Sequence, residues 1–235
     1  MNFSWEFIRD NIGYIISAAP MTLFLTVFPV IAGVVLGFGI ALIRIHKVPV
    51  LSQLFGLYIS FFRSVPLLVL LFVAYYGTPK FINFVFYGGV RKLSVINLNN
   101  TLIAIITLTL YSSAFLSEII RGAFSSVDMR QHEAAHALGM TGFQTYWRIL
   151  IPQAIVVALP NYFNFFLALL KGTAVVFTIS VIDMMSAAKL QAEIGYRFIE
   201  AYVLVGVFYI LFSVVFSRLF IFIEKKQKAG MGMSV

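Results

Sequence analysis

The chain has 235 residues, of which 61% are hydrophobic and 11% charged, whereas soluble domains are about 45–50% apolar and about 25% charged. This excludes a water-soluble domain of ordinary size and describes an integral membrane protein whose length is mostly spent in crossing the bilayer. The net charge of +8 fits Lys and Arg at cytoplasmic membrane edges better than a nucleic-acid partner, and the absence of cysteine excludes disulfides, thiolate metal sites and a cysteine nucleophile.

The N-terminal stretch carries Glu6, Arg9 and Asp10 and lacks the basic start and cleavage site of a signal peptide, so it is expected to stay. Residues 12–43 form an apolar run too long for one perpendicular helix, with Pro20 and Pro29 inside it. A crossing is predicted at 20–43, with 4–18 as an interfacial segment. Gly33, Gly37 and Gly39 make a small-residue stripe suited to close helix packing. A second span is predicted at 55–77, a loop at 78–97 and a third span at 98–120.

A polar interval, 121–151, follows. The next apolar run, with a span at 152–175, is interrupted by Pro160, Asn161, Asn164, Lys171, Gly172 and Thr173. Residues 183–200 read as an interfacial helix, and the last span as 201–223. The fold class is therefore an all-α integral membrane protein, a single domain over 1–235 with about five transmembrane helices. Five spans put the termini on opposite sides. The larger share of Lys and Arg falls on the side of 121–151 and the C-terminal tail, so that side is expected to be cytoplasmic and the N-terminus outside.

The centre of the polar interval, His132-Glu133-Ala134-Ala135-His136, reads two ways. As H-E-x-x-H it is a zinc-protease motif: two imidazoles at i and i+4 with a glutamate as general base. The third histidine that the extended motif needs at 142 is Gly142, and His46 is the only other histidine. The motif also lies between spans, away from a membrane-embedded substrate. As a docking helix, 127–138 starts at Ser126 or Asp128 as N-cap and ends at Gly139 in the left-handed region. Ala134 and Ala135 then leave a small, flat face, and Glu133 offers a fixed charge. A second helical stretch runs from Gly142 through Trp147 and Arg148 into Pro152, so that two short helices form a lever toward spans three and four.

Glu133-Ala134-Ala135, Gly139 six residues later and Ile149-x-Ile151-Pro152 resemble the EAA loop of bacterial ABC importer permeases. Phe62-Arg63-Ser64-Val65-Pro66-Leu67-Leu68, Tyr75-Tyr76-Gly77-x-Pro79 and Ser117-Glu118-Ile119-Ile120-Arg121-Gly122 are similar to segments of the polar-amino-acid group. Lys171-Gly172-Thr173 falls where that group has Lys-Asp/Gly-Thr-Ser. Asp128 in place of a usual proline and Ala174 in place of a usual serine are departures.

The resemblance implies a non-catalytic permease subunit in the bacterial inner membrane, paired with a second permease, identical or homologous. It implies two cytoplasmic ATPase subunits and an extracellular solute-binding protein. Glu133, Ala134, Ala135 and Gly139 would couple to the ATPase, where ATP and magnesium reside. No G-x-x-x-x-G-K-[ST] loop occurs in this chain, so no cofactor of its own is expected.

Polar groups inside a span are costly and tend to face a cavity. Asn161, Asn164, Lys171, Thr173 and Ser112 are therefore candidates for a substrate path, with Lys171 for a carboxylate and the amides for other polar atoms; helix–helix hydrogen bonding is the alternative use of each. Arg63 is expected at the cytoplasmic edge, and Glu118 with Arg121 as an i, i+3 pair. The run from Lys171 to Asp183, with Ile199-Glu200-Ala201-Tyr202, looks most like cystine-type members; another polar amino acid or an opine-like derivative stays open.

Overall fold

The computed structural model describes residues 3–230, without the side chains of 97, 129, 132 and 228–230. Those residues form helices and short connections, with no strand among them. Helix α1 (Trp5–Ser17) begins at Ser4, whose Oγ accepts from the Phe7 N–H at 3.2 Å. Only Ala18 separates it from α2 (Ala19–Ile45), where Pro20 occupies the tolerant first turn.

The predicted second span, 55–77, is divided. Helix α3 (Leu51–Ser64) stops because Pro66 forces Val65 into the extended region, at φ −92°, ψ 131°. The helix long and apolar enough to cross is α4 (Leu67–Tyr87), which takes in Pro79 and half of the predicted loop and ends on left-handed Gly88. The remaining loop is held by Asn83. Its amide donates to the Leu93 carbonyl at 2.8 Å, and its carbonyl accepts from the Leu93 and Lys92 N–H groups.

Helix α5 (Asn100–Ser125) starts on the Asn99 cap and runs beyond the predicted end at 120. It packs along α2 at close range. A Cβ on Gly33 would stand 2.7 Å from Ser112 Cβ, and one on Gly37 would stand 3.0 Å from the Ser113 carbonyl oxygen and the Ser117 nitrogen. Gly39, the third member of the predicted stripe, has open space around it, so the stripe that packs is Gly33 and Gly37.

After the short helices α6 (Met129–Ala137) and α7 (Gly142–Thr145), a π turn at Tyr146–Leu150 leads into α8 (Ile151–Gly172). A 3-10 segment, Thr173–Ile179, and an extended stretch reach α9 (Met184–Gly195), and α10 (Phe198–Gly230) is the last helix among the described residues. The main core joins α2, α4, α5, α8 and α10 and includes Phe163 stacked on Phe220 at 4.1 Å.

The predicted interfacial helix 183–200 is instead part of a second core. Met184, Ala187, Ala188 and Ala192 are buried with Ile15, Ala201 and Leu204. Asp183 caps α9 by accepting from the Ser186 N–H at 2.8 Å, and Tyr209 donates to its other oxygen at 3.3 Å. The Met184 N–H donates to Thr22 Oγ1, tying α9 to α2. Burial pushes the Asp183 carboxyl above the usual carboxylate range despite these hydrogen bonds.

Candidate functional site

The polar interval folds as two capped turns seated on the end of a span. Asp128, of the two predicted caps, starts α6: its carboxylate accepts from the Arg130 N–H at 2.9 Å and from its guanidinium. The guanidinium, with the backbone donor, holds the Asp128 carboxyl below the usual range. At the other end Gly139 has φ 76°. The Met140 N–H reaches the Ala135 carbonyl and the Gly139 N–H that of His136, the paired bonds of a Schellman stop. Thr141 then opens α7 through a capping box with Gln144.

Ala134 and Ala135 do not share a face. Ala135 is 1% exposed, where α6 packs on α7 and the π turn, whereas Ala134 and Glu133 face outward. Leu138 is 81% exposed and Phe143 and Trp147 stand out beside each other, their rings 6.1 Å apart. The segment thus spends one alanine on its own seat and presents the rest.

That seat is the start of span four. Pro152 has no N–H and its ring crowds the carbonyl four residues back, so the helix opens by one residue, with the Ile151 N–H donating to the Tyr146 carbonyl. The predicted second lever arm, 142–152, is therefore not separate from the span: residues 142–179 run as one helical rod. Tyr146 touches the rings of His46 at 6.1 Å and Phe124 at 6.2 Å, linking the rod's foot to the ends of α2 and α5.

On α8, Asn161, Asn164 and Lys171 fall at i, i+3 and i+10 and lie on the open side of the chain. Thr173 is fully buried and donates to the Leu170 carbonyl at 2.8 Å. Ser112 is also fully buried, against Gly33 in the α2–α5 seam. The structure does not bring these two to the open α8 face.

It does bring Asn161 to residues read from sequence as structural. Asn161 and Val157 line a recess of about 490 Å³ with Arg63, Phe115, Glu118 and Gly122. A second recess of about 440 Å³ shares Arg63, Phe115 and Glu118 and adds Arg44, Ser60 and Ser64. Glu118 is ion-paired to Arg44 of α2 and, at 2.8 Å, to Arg121 of its own helix. The Arg63 guanidinium lies over the Phe115 ring, 5.4 Å from its centre. Arg63 and Glu118 are far apart in sequence, and only the i, i+3 spacing of Glu118 and Arg121 signals any of this cluster.

The zinc reading finds no support. The His132 side chain lies outside the described residues, and among those described no three His, Cys, Asp or Glu side chains come together to hold a metal.

Residues 33–229 match the family described as "Binding-protein-dependent transport system inner membrane component". The chain is 40% identical over 215 residues to the "Probable amino-acid permease protein YxeN" of Bacillus subtilis (strain 168), covering 92% of each chain. It is 34% identical over 226 residues to the "L-cystine transport system permease protein TcyL" of the same organism, covering 96% of this chain and 92% of that one. A solved structure described as "Crystal structure of an amino acid ABC transporter with histidines" superposes with TM-score 0.84 at 31% identity, over 96% of this chain and 100% of that one. The all-helical fold, the membrane-crossing helices and these matches agree: the chain belongs to the family of inner-membrane permease components of binding-protein-dependent transport systems.

Proposed function

We propose that this permease translocates an amino acid, and that α6 is the helix through which a partner ATPase drives it. Family membership makes the chain a multi-pass inner-membrane transport subunit, with ATP hydrolysed by a separate ATPase in a complex that includes a binding protein. In our reading two such permeases, identical or homologous, sit on two ATPase subunits, with α6 in the cytoplasm and the N-terminus outside. The excess of Lys and Arg on the α6 side supports that orientation.

The observation that carries the coupling role is the continuity from α6 to the solute-facing helix. Glu133, Ala134 and the exposed Leu138 offer the contact; Ala135 seats α6 on the foot of α8; Gly139 fixes the turn between them. A push on α6 then reaches the rod that carries Asn161, Asn164 and Lys171. The π turn is the point at which that rod gives.

The amino-acid reading rests on the recess at Asn161. A zwitterion needs an anion partner and a cation partner within a few ångström, in a space shielded from lipid. Arg63 supplies the first, Glu118 and the Asn161 carbonyl the second. The amino-acid relatives point to the same class of cargo. Ser112 is packed against Gly33 in the α2–α5 seam and Thr173 donates back to Leu170 of its own rod, so both lie behind the open α8 face.

In the assembled transporter, Glu133→Lys is expected to abolish copurification with the ATPase and uptake while leaving thermal unfolding of the permease unchanged. Intact uptake in both Glu133→Lys and Gly139→Pro would remove the coupling assignment. Arg63→Gln is expected to weaken amino-acid binding to the permease–ATPase complex about tenfold, the worth of a charge-assisted hydrogen bond; unchanged binding would move the cargo elsewhere.

A further inference from the structure

Where α4 ends, the chain folds back beside its own last turns and encloses a recess of about 730 Å³. Tyr76, Lys80 and Phe84, at i, i+4 and i+8, line it from the helix together with Asn83, and Arg91 lines it from the returning loop. That loop is preformed. Gly88 and Gly89 turn it in the left-handed region, at φ 57° and 85°. Both ends of the Asn83 amide then bind backbone groups of Lys92 and Leu93.

The charge around the recess is one-sided. Lys80 and Arg91 line it and no acidic residue does. Lys92 follows Arg91, with its ammonium 4.9 Å from the centre of the Tyr87 ring. The sequence has no Asp or Glu between Asp10 and Glu118. None of these three cations takes part in any of the ion pairs among the described residues. The flank is apolar: Phe81, Phe84, Val85 and Phe86 are exposed on the last turns of a helix long and apolar enough to cross a membrane.

Lys80 stands seven residues before the end of α4, about 10 Å along the helix axis. A lysine at that depth lays its stem on apolar surface while its ammonium seeks the membrane surface. The recess therefore runs from the apolar part of the span up to the basic loop. A soluble anion or the surface of a folded protein matches only its upper part. A phospholipid matches both parts, with its phosphate among the cations and a chain against the aromatic wall.

We propose that this recess holds an anionic phospholipid, its phosphate between Lys80 and Arg91 and an acyl chain along Phe84. The guanidinium of Arg91 suits a phosphate because its fork donates to two oxygens at once. A lipid so held keeps the end of α4 at the level of the headgroups. Nothing in this depends on which solute is carried.

The test is titration of the delipidated permease–ATPase complex with dioleoyl phosphatidylglycerol or dioleoyl phosphatidylcholine, with bound lipid counted by native mass spectrometry. Each cation near a headgroup is worth about fivefold, so the wild type is expected to prefer phosphatidylglycerol about thirtyfold. Lys80→Gln and Arg91→Gln should each lose about fivefold, and the double variant nearly all of the preference. Arg9→Gln removes an exposed cation outside the recess and should lose none. Asn83→Ala frees the loop while keeping both cations, and should lose the preference as well.

Equal affinity for the two lipids in the wild type overturns the proposal. So does a preference that survives the double variant. A preference that Arg9→Gln lowers as much, or that Asn83→Ala leaves whole, belongs to scattered charge and also overturns it. Inorganic phosphate that displaces phosphatidylglycerol at equal concentration assigns the recess to a soluble anion. If neither form prefers phosphatidylglycerol and the double variant instead loses affinity for the solute-binding protein, the recess is a docking surface for that protein and the lipid site falls.

Discussion

The α2–α5 seam and the α6–α7 segment are built on opposite terms. In the seam, Gly33 and Gly37 let two long helices approach until backbone meets backbone, with Ser112, Ser113 and Ser117 buried at the contact. In lipid there is little hydrophobic gain from bringing apolar helices together, so this contact relies on dispersion at short range. The α6–α7 segment buries little of itself. It is shaped by Asp128, the Gly139 stop and the Thr141–Gln144 box, each made within a few residues. A segment held by its own caps keeps its outer faces available to a partner, while the seam has no face to spare.

Four changes sharpen this contrast. The largest effect is expected from Gly37→Val. Its new carbons meet backbone atoms of Ser113 and Ser117 that cannot rotate away, and overpacking of this kind costs about 3 kcal/mol or more. Folded permease recovered by size-exclusion chromatography should fall sharply, whereas Gly39→Val, in open space, should leave it unchanged.

Next is Glu118→Gln, which leaves Arg44 and Arg121 facing each other at one end of the seam. Breaking a fully buried pair costs about 3 kcal/mol or more, and this partly buried one less because all three side chains keep some exposure to solvent. A lowered melting temperature should report it, and Arg44→Gln made together with it should recover part of the loss.

Gly139→Ala should act only on the local segment. A side chain at φ 76° costs about 1 kcal/mol. Faster amide exchange across 129–140 with an unchanged global melting temperature would separate the segment from the seam; a global shift would merge them.

The smallest effect is a pH dependence. Arg130 lowers the Asp128 carboxyl in the folded state, so the cap's contribution is full above the unfolded carboxylate value and fades as pH falls through the lower folded one. Helix α6 should therefore remain capped at about pH 5 and fray only in stronger acid. Arg130→Gln should move the fraying to higher pH, as read by amide exchange.

Helix positions were legible where the signal was local, and less so where it was not. The turn at Gly139 and a cap at Ser126 or Asp128 follow from residue types within a few positions of each other, and the structure chose Asp128. Pro66 divided a predicted span because proline constrains the residue before it more strongly than apolarity extends a helix. Helix α9 carries Lys189, Glu193 and nearby charges that read as a surface helix, yet its alanines and Met184 are buried against α1 and α10. The Lys189–Glu193 pair lies on its outer face.

By itself, the sequence determined that the chain crosses a membrane as helices, and that one polar interval folds as a capped helical element. Hydropathy and capping are properties of neighbours along the chain. Only the tertiary structure decided which way each apolar helix faces. A helix between lipid and protein is apolar on both sides, so its pattern does not say which side packs. That rotation turned Ser112 into the seam and gathered Arg63 and Glu118 with Asn161 around one recess and with Arg44 around a second.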